Sequence, residues 1–352
     1  MAIRRFKTSS FANNLPRYGK MWDQVTDFKF KRAFIIGAST GFYYTEDGTT
    51  WTSTTYPFPN RSINDGSGYS WCICLKNGTM FATGTTSSTA SWIYKSDDGI
   101  TWTSVTPPRT GSAGDGYFAL NRGNGAYASR LYVFNVGGST AAWYSDDNGA
   151  NWTSMSNNLT TWNYPSTGDN YIVNYPYIYN PTYYDYATVS SPATYTRSSA
   201  VGISPNYMLG SVYANGHHFV GSAYGGGSLR AQVRISDTTI TSNSVGAVGD
   251  GNNTVICDFS SFGYIYGYAG STSLCYNVDT SASAMTALSG SYRAKKGTYF
   301  KGTDGIGRMY LAGNISTSNM HIIASAPTTL TAITYPIAPT FYLANSDPLV
   351  YS

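Results

Sequence analysis

The chain has 352 residues, of which only 11% are charged and 16% are aromatic, and its formal net charge is +4. No run approaches 18 apolar residues, and the first 20 residues lack an apolar core, so neither a transmembrane helix nor a signal peptide is expected. Tyrosine, tryptophan and threonine favour strands, whereas glycine and asparagine favour turns, so this composition predicts an all-β fold.

The basic charge belongs to the start of the chain. Residues 1–32 hold eight cations against two aspartates, a balance of +6 that leaves −2 for the rest, so no large nucleic-acid-binding face is expected. We expect residues 1–27 to form an extended anchoring arm, with a solvated, disordered start as the alternative. The expected contact residues of the arm are Arg4, Arg5, Phe6, Lys7, Phe11 and Trp22.

Three later segments repeat one pattern: a hydroxyl residue, an aspartate, a glycine and a tryptophan. Their tryptophans are 51 and 50 residues apart. The aspartate can accept backbone N–H bonds in a turn, and the glycine supplies a positive φ angle, so each segment predicts a β-hairpin whose tryptophan holds it to its neighbour. The pattern residues are Thr45, Asp47, Gly48 and Trp51, then Ser96, Asp98, Gly99 and Trp102, then Ser145, Asp147, Gly149 and Trp152.

These segments resemble the Asp-box, or BNR, repeat of sialidases and related propellers, whose pattern is Ser-x-Asp-x-Gly-x-x-Trp. The third segment matches the pattern in full, and the first two are one residue shorter between the aspartate and the glycine. The resemblance implies a β-propeller in which each box joins the outer two strands of a blade and has a structural role.

A period near 50 residues fits one four-stranded blade per repeat. After Trp152 the boxes fade while the strand rhythm continues. Residues 233–237 resemble a decayed box, and residues 156–206 are interpreted as a degenerate blade because structureless loops of that length are rare. We therefore predict a seven-bladed propeller over residues 28–352, with six blades as the alternative.

The first predicted blade begins at residues 33–36 and lacks one strand. Residues 340–344 can supply that strand. The ring would then close by pairing of the N- and C-terminal strands, which removes an exposed sheet edge.

A sialidase-like enzyme is the alternative that the boxes suggest first. Glycosidases need two carboxyl groups, or a tyrosine nucleophile with a supporting glutamate, and the one glutamate, Glu46, lies in a box turn. His217 and His218 with Asp258 could suggest a metal or catalytic pair, but adjacent strand residues point to opposite faces. We predict that the protein is not an enzyme and has no catalytic residue, metal or cofactor.

The four cysteines show no metal-binding spacing. Cys72 and Cys74 are interpreted as buried, reduced thiols on one face of a strand. A bridge between Cys257 and Cys275 is open if neighbouring strands bring the two residues together.

The segment Met1–Phe6, followed by Trp22 and Asp23, resembles the start of several bacteriophage virion structural proteins, in which a short basic leader precedes a variable β-rich module. The resemblance implies a virion location in a tail, fibre or capsid decoration, with other virion proteins as partners of the arm. We expect synthesis in the host cytoplasm and a homo-oligomer or multi-copy assembly, without membrane insertion. Aromatic loops that stack on host-surface glycans are a further expectation.

Two other functions are retained as alternatives. The first is a secreted or surface lectin-like binding module, and the second is a glycoside hydrolase with a degenerate sialidase-like site.

Overall fold

The structure is a computed structural model of the chain, and it describes the strands together with most of the turns that carry the repeat pattern. The described residues are 33–37, 42–47, 49–55, 72–75, 77–85, 91–108, 117–136, 142–155, 165–174, 183–199, 207–214, 216–223, 231–240, 242–247, 256–259, 264–269, 274–279, 285–287, 296–301, 307–312, 319–323, 331–334 and 339–345.

The described residues form seven four-stranded sheets. In order from the inner strand outward, the first sheet contains β28 (Pro339–Asn345), β1 (Ala33–Gly37), β2 (Phe42–Thr45) and β3 (Thr52–Thr54). The second contains β4 (Cys72–Cys74), β5 (Met80–Thr85), β6 (Ser91–Ser96) and β7 (Thr103–Val105). The third contains β8 (Tyr117–Arg122), β9 (Leu131–Val136), β10 (Ala142–Ser145) and β11 (Thr153–Ser154), with a 3-10 turn at Gly125–Tyr127.

The other four sheets have the same order of strands. The fourth contains β12 (Ser166–Thr167), β13 (Tyr171–Asn174), β14 (Tyr183–Thr188) and β15 (Ser191–Ser199). The fifth contains β16 (Tyr207–Ala214), β17 (His217–Ala223), β18 (Ala231–Ser236) and β19 (Ser242–Ala247). The sixth contains β20 (Ile256–Phe259), β21 (Tyr264–Ala269), β22 (Leu274–Asp279) and β23 (Met285–Ala287). The seventh contains β24 (Lys296–Lys301), β25 (Gly307–Ala312), β26 (Asn319–Ile323) and β27 (Thr331–Thr334).

Every pairing within these sheets is antiparallel between neighbours in the order, and the second to seventh sheets are simple meanders of consecutive strands. The first strands of successive sheets contact one another from β4 through β8, β12, β16, β20 and β24 to β28, and β28 contacts β4. The sheets therefore follow one another around a circle with their first strands innermost, which is the arrangement of a β-propeller.

The first sheet combines strands from distant parts of the chain. β1 pairs with β28 in a register that joins Phe34 to Ala344 and Ile35 to Leu343. The pairing involves the two segments that the sequence assigns to it, and it gives the first sheet its fourth strand.

The core lies between neighbouring sheets, and β9 shows how one strand serves two of them. Successive strand residues point to opposite faces. Leu131 and Val133 pack in a cluster with residues of the second sheet, whereas Tyr132 and Phe134 pack against residues of the fourth. All four side chains are fully buried. A strand that is covered on both faces reads as a continuous apolar run.

Residues 156–206 contain a regular sheet, formed by β12 to β15 in the part of this segment that the structure describes. The interpretation as a blade instead of a long loop therefore agrees with the structure. The segment lacks the box residues because its turn between the third and fourth strands, at residues 189–190, is only two residues long.

The Cys257–Cys275 bridge does not fit the strand order. Cys257 lies on β20 and Cys275 on β22, with β21 between them, and their partners Tyr266 and Tyr268 are two residues apart. Two strand spacings amount to about 9–10 Å, whereas bridged cysteines have Cα atoms within about 7 Å. The two residues therefore do not form a disulfide in this fold.

The predicted arm, residues 1–27, and its six contact residues lie outside the described residues, as does Gly48 of the first box. Within the described part of the chain, no helix has the length and apolar character needed to cross a membrane.

Candidate functional site

The three box turns occupy equivalent places in the first three sheets. Each follows the third strand and precedes the fourth: the first lies between β2 and β3, the second between β6 and β7, and the third between β10 and β11. These are the outer two strands of each sheet, as the family resemblance implies. The boxes therefore lie away from the innermost strands.

In the third box, the side chain of Asp147 is the acceptor that organises the turn. Its Oδ1 accepts hydrogen bonds from Ser145 Oγ at 2.7 Å and from the backbone N–H of Asn151 at 2.9 Å, and its Oδ2 accepts from Asn151 Nδ2 at 2.7 Å. Ser145 Oγ in turn accepts from Gly149 N at 2.8 Å. The side chains of serine and aspartate thus accept hydrogen bonds from backbone amides of the turn.

The second box repeats this arrangement. Asp98 Oδ1 accepts from Ser96 Oγ at 3.0 Å and from the backbone N–H groups of Ile100 and Thr101 at 2.8 and 2.6 Å. Gly99 N donates to Ser96 Oγ at 2.7 Å. The shorter form of the box therefore keeps the serine–aspartate and glycine–serine bonds of the full form, whereas its carboxylate accepts from Ile100 and Thr101 in place of Asn151.

The first box uses threonine in place of serine. Asp47 Oδ1 accepts from Thr45 Oγ1 at 3.0 Å and from the backbone N–H groups of Thr49 and Thr50, both at 2.7 Å. In all three boxes, the aspartate predicted from the sequence is therefore held within its own turn.

The third box also attaches its sheet to the preceding one. Trp152 packs against the cluster between the second and third sheets, and its Nε1 donates to the carbonyl of Thr106 at 2.9 Å. Gly149 has a φ of 80°, and a Cβ at this position would lie 2.8 Å from Val105 Cγ1. Trp102 instead donates to Gly99 in its own turn, and Trp51 is half-buried.

Acid should weaken the boxes. The backbone and side chain of Asn151 and the hydroxyl of Ser145 lower the pKa of Asp147 from 3.8 to about 2. Burial raises the pKa of Asp47 and Asp98. The hydrogen bonds that the two carboxylates accept from backbone N–H groups outweigh this effect of burial, so the pKa of each aspartate is lowered. A lowered folded pKa gives stability that is present above the unfolded value and is lost as the pH falls through the folded one.

We therefore expect the urea midpoint of unfolding to decrease as the pH is lowered from 5 to 2. The midpoint of the Asp147→Asn variant should decrease less over the same interval. Tryptophan fluorescence during urea titrations at several pH values measures both. Thr153→Ala, an exposed change beside the box, is the control that should follow the unaltered protein. Equal acid sensitivity of Asp147→Asn and the unaltered protein would contradict this account.

A second group of polar side chains lies in the seam between the fourth and fifth sheets. The polar seam consists of Ser166, Asp169 and Asn170 of the fourth sheet and Tyr213, His218 and Asp237 of the fifth. His218 and Asp237 are 0% exposed and Ser166 is 3% exposed. His218 Nδ1 lies 2.8 Å from Ser166 Oγ, and His218 Nε2 lies 2.8 Å from Asp237 Oδ1.

Asp237 is the centre of the polar seam. Besides the His218 bond, its carboxylate accepts from the backbone N–H groups of Asn170 and Tyr171 at 2.9 and 3.0 Å, from Asn170 Nδ2 at 3.2 Å and from Tyr213 Oη at 3.3 Å. Four donors besides Tyr213 face its two oxygens, which fits a carboxylate that only accepts. The seam thus holds a buried charge whose partners come from both sheets.

Tyr213 and Gly168 connect the two sheets at the polar seam. Tyr213 Oη also lies 2.8 Å from Asp169 Oδ2, so it is shared between two carboxylates. Gly168 lies against the buried pair, and a Cβ there would overlap Asp237 Oδ1 and lie 2.8 Å from His218 Nε2. Only a glycine lets the backbone of the fourth sheet come this close to the carboxylate.

His217 and His218 are not expected to form a metal or catalytic site with Asp258, and the strand order keeps His218 away from that residue. Asp258 lies on β20 in the sixth sheet, paired with Ile265, whereas His218 meets Asp237 in its own sheet. Asp237 follows Ser236 at the end of a third strand, the place that Asp97 and Asp146 take in the second and third boxes. Those aspartates also accept hydrogen bonds from residues that directly precede the second strand of their sheets. Asp97 accepts from Thr79 Oγ1, and Asp146 accepts from the guanidinium of Arg130. This repeated position is the sequence signal that could have identified Asp237.

Ser166, His218 and Asp237 have the composition of a hydrolase triad but not its arrangement. In such triads, the serine bonds to Nε2 and the aspartate to Nδ1, and here the two nitrogens are exchanged. All three side chains are buried, so no substrate carbonyl can reach Ser166 in this conformation. No three metal-ligating side chains converge within the described ranges.

Comparison with known proteins identifies the fold. No protein-family model matches the chain, and no curated protein matches it in sequence. Among solved structures, a protein from Lactobacillus plantarum is similar with 13% identity and a TM-score of 0.55, covering 90% of this chain and 99% of its own. YCF48 from Cyanidioschyzon merolae has 12% identity and a TM-score of 0.54, covering 87% and 92%. AztD from Citrobacter koseri has 11% identity and a TM-score of 0.50, covering 90% and 97%.

These similar structures are β-propellers. The chain therefore has the predicted all-β propeller fold. At such low identity the likeness concerns the fold alone.

Proposed function

We propose that this protein is a non-catalytic Asp-box β-propeller that forms part of a bacteriophage virion, with its basic leader as the anchor. The observation that carries the non-catalytic part is that Asp47, Asp98 and Asp147 accept hydrogen bonds within their own turns. Carboxylates engaged in this way stabilise the turns between the outer two strands of their sheets.

The buried triad-like group supports the same proposal. Its serine faces the wrong imidazole nitrogen and is covered on all sides. The one glutamate of the chain, Glu46, is an exposed turn residue between β2 and β3. A sialidase-like pair of a tyrosine and a supporting glutamate would need a glutamate near the propeller axis.

The basic leader supports the virion part of the proposal. Residues 1–32 carry +6, whereas the rest of the chain carries −2, so the two parts differ in the partners that they attract. An arm with Arg4, Arg5 and Lys7 around Phe6 combines charge with an apolar anchor, as interface hot spots commonly do. Its partner would be an acidic surface of another virion protein, and the propeller would be displayed outward in several copies.

Removal of the arm's cations tests the anchoring. Phage carrying Arg4→Ala, Arg5→Ala and Lys7→Ala together should show at least a tenfold loss of this protein from purified particles, because the arm loses its charge complementarity. Quantitative mass spectrometry of the particles measures the loss.

The matched control removes the same charge outside the arm, by changing Lys29, Lys31 and Arg32 to alanine. That variant should assemble normally. Full incorporation of the arm variant, or of a protein lacking residues 1–27, would refute the anchoring role.

Contact with host-surface glycans is the proposed role of the displayed propeller, through the tyrosine-rich and tryptophan-rich loops that the sequence predicts. The isolated propeller on a glycan array separates this role from decoration alone. Strong glycan binding without any particle association would favour a lectin-like module, and turnover of glycoside reporters would favour the hydrolase alternative.

A further inference from the structure

The polar seam is a continuous chain of hydrogen-bonding groups. It runs from Asp169 to Tyr213 at 2.8 Å, from Tyr213 to Asp237 at 3.3 Å, from Asp237 to His218 at 2.8 Å, and from His218 to Ser166 at 2.8 Å. Each contact joins groups that can pass or share a proton. This series of hydrogen bonds crosses between sheets at two places, because Asp169 and Ser166 belong to the fourth sheet and the other three residues to the fifth.

The Tyr213 hydroxyl cannot satisfy both of its carboxylates at once. It has one proton, so with Asp169 and Asp237 both ionised it donates to one of them, and the shorter distance favours Asp169. The 3.3 Å contact between Tyr213 and Asp237 is then the weakest hydrogen bond of the series. Two carboxylates around one phenol also place like charges close together, with Asp237 fully buried and Asp169 half-buried.

A proton on Asp169 resolves this conflict. The protonated carboxyl donates to the Tyr213 oxygen, and Tyr213 turns its own proton to Asp237 Oδ2. Every group then has a donor or acceptor, and one of the two negative charges is gone. Ser166 can donate to His218 Nδ1 or accept from it, so this end of the chain fits either protonation state of the imidazole.

We propose that the polar seam is an acid-strengthened joint between the fourth and fifth sheets, in which uptake of one proton by Asp169 tightens the Tyr213–Asp237 bond. This inference concerns the stability of the propeller, and it goes beyond the proposed virion role without depending on it.

The groups around Asp169 support the direction of this response. Burial raises the pKa of Asp169, the Tyr213 bond lowers it, the charge of Asp237 raises it and that of His218 lowers it. Burial and the two carboxylates also raise the pKa of Tyr213, so the phenol stays protonated. The third sheet presents Gly125 and Asn124 to this turn, and its cation Arg130 is engaged with Asp146.

The sign of the pH effect follows from the raised pKa of Asp169. A carboxyl whose folded pKa lies above its unfolded value of about 3.9 opposes folding when it is ionised. Stability therefore rises as the pH falls through the folded pKa of Asp169 toward the unfolded value. This rise occurs at higher pH than the loss from the box aspartates, whose pKa values are lowered.

Hydrogen exchange of the full-length protein tests the proposal. The amides of Asn170 and Tyr171 report on the joint directly, because both donate to Asp237. Corrected for intrinsic exchange, their protection should increase at least threefold between pH 8 and pH 4, an interval that reaches the unfolded pKa of a carboxyl. Asp169→Asn carries a permanent donor toward Tyr213 and should show the high protection at both pH values.

A second variant separates the proton relay from simple removal of charge. Asp169→Ala also removes the charge but cannot donate to Tyr213, so its protection should stay below that of Asp169→Asn at both pH values. Glu46→Gln, an exposed acid in the first sheet, should keep the pH response of the unaltered protein.

Three results would overturn the proposal. The first is unchanged protection between pH 8 and pH 4 in the unaltered protein. The second is a pH response that persists in Asp169→Asn, which would assign the response to His218. The third is equal protection in the asparagine and alanine variants, which would leave charge removal as the whole effect.

Discussion

Replacement of Asp237 with alanine is expected to destabilise the propeller by about 3–5 kcal/mol, because removing one partner of a buried charged group leaves the others uncompensated. The change removes the acceptor that four groups share: the backbone amides of Asn170 and Tyr171, the Tyr213 hydroxyl and the His218 ring. Each buried donor without a partner costs about 1–3 kcal/mol. Urea unfolding followed by tryptophan fluorescence measures the loss.

The chain offers a matched control for this change. Asp97 follows Ser96 as Asp237 follows Ser236, but Asp97 is exposed and has one side-chain donor, Thr79, at 2.9 Å. Asp97→Ala should cost about 1 kcal/mol or less. Should Asp237→Ala prove too unstable to purify, Asp237→Asn keeps an acceptor and permits the measurement. Similar small losses for Asp237→Ala and Asp97→Ala would show that the buried carboxylate does not stabilise the seam.

Replacement of Gly168 with alanine is expected to have the second largest effect, about 3 kcal/mol, because a single methyl group would enter the space of the Asp237–His218 pair. Neither the Asp237 nor the His218 side chain can move away easily from the added methyl group. Asp237 is held by backbone amides of the same turn, and His218 is fully buried. The same unfolding experiment measures the effect, and exchange of the Asn170 amide locates it.

Gly216→Ala distinguishes steric overlap from backbone strain. Gly216 has a φ of 74°, and nothing lies within 4 Å of a Cβ built there. Its replacement should therefore cost only the left-handed conformation, about 1 kcal/mol. A Gly168→Ala variant that is no less stable than Gly216→Ala would mean that the seam can open to admit a methyl group.

The parts of this fold that sequence could predict are local or periodic. A box turn is specified within about eight residues, so the bonds of Asp98 to Ile100 and Thr101 could be expected from the spacing alone. The 50-residue period set the size of a sheet. The strand at residues 339–345 could be assigned to the first sheet because that sheet was one strand short.

The polar seam could not be predicted in this way, because its partners are far apart in the chain and irregularly spaced. His218 lies 52 residues from Ser166, and Asp237 lies 67 residues from Asn170. The decayed box at residues 233–237 was visible, but the loss of its glycine and tryptophan hid the fact that its acid had become buried. Cys257 and Cys275 illustrate the same limit, since only the strand order shows that β21 separates them.

The pairing of β1 with β28 also has a consequence for the time course of folding. Closing a loop that extends from residue 37 to residue 339 costs about 3 kcal/mol more in chain entropy than closing a ten-residue hairpin. During synthesis, the second to seventh sheets can each assemble from contiguous chain as it leaves the ribosome, whereas the first must wait for a strand made some 300 residues later. The nascent chain therefore carries β1 to β3 as an incomplete sheet with an open edge until β28 arrives.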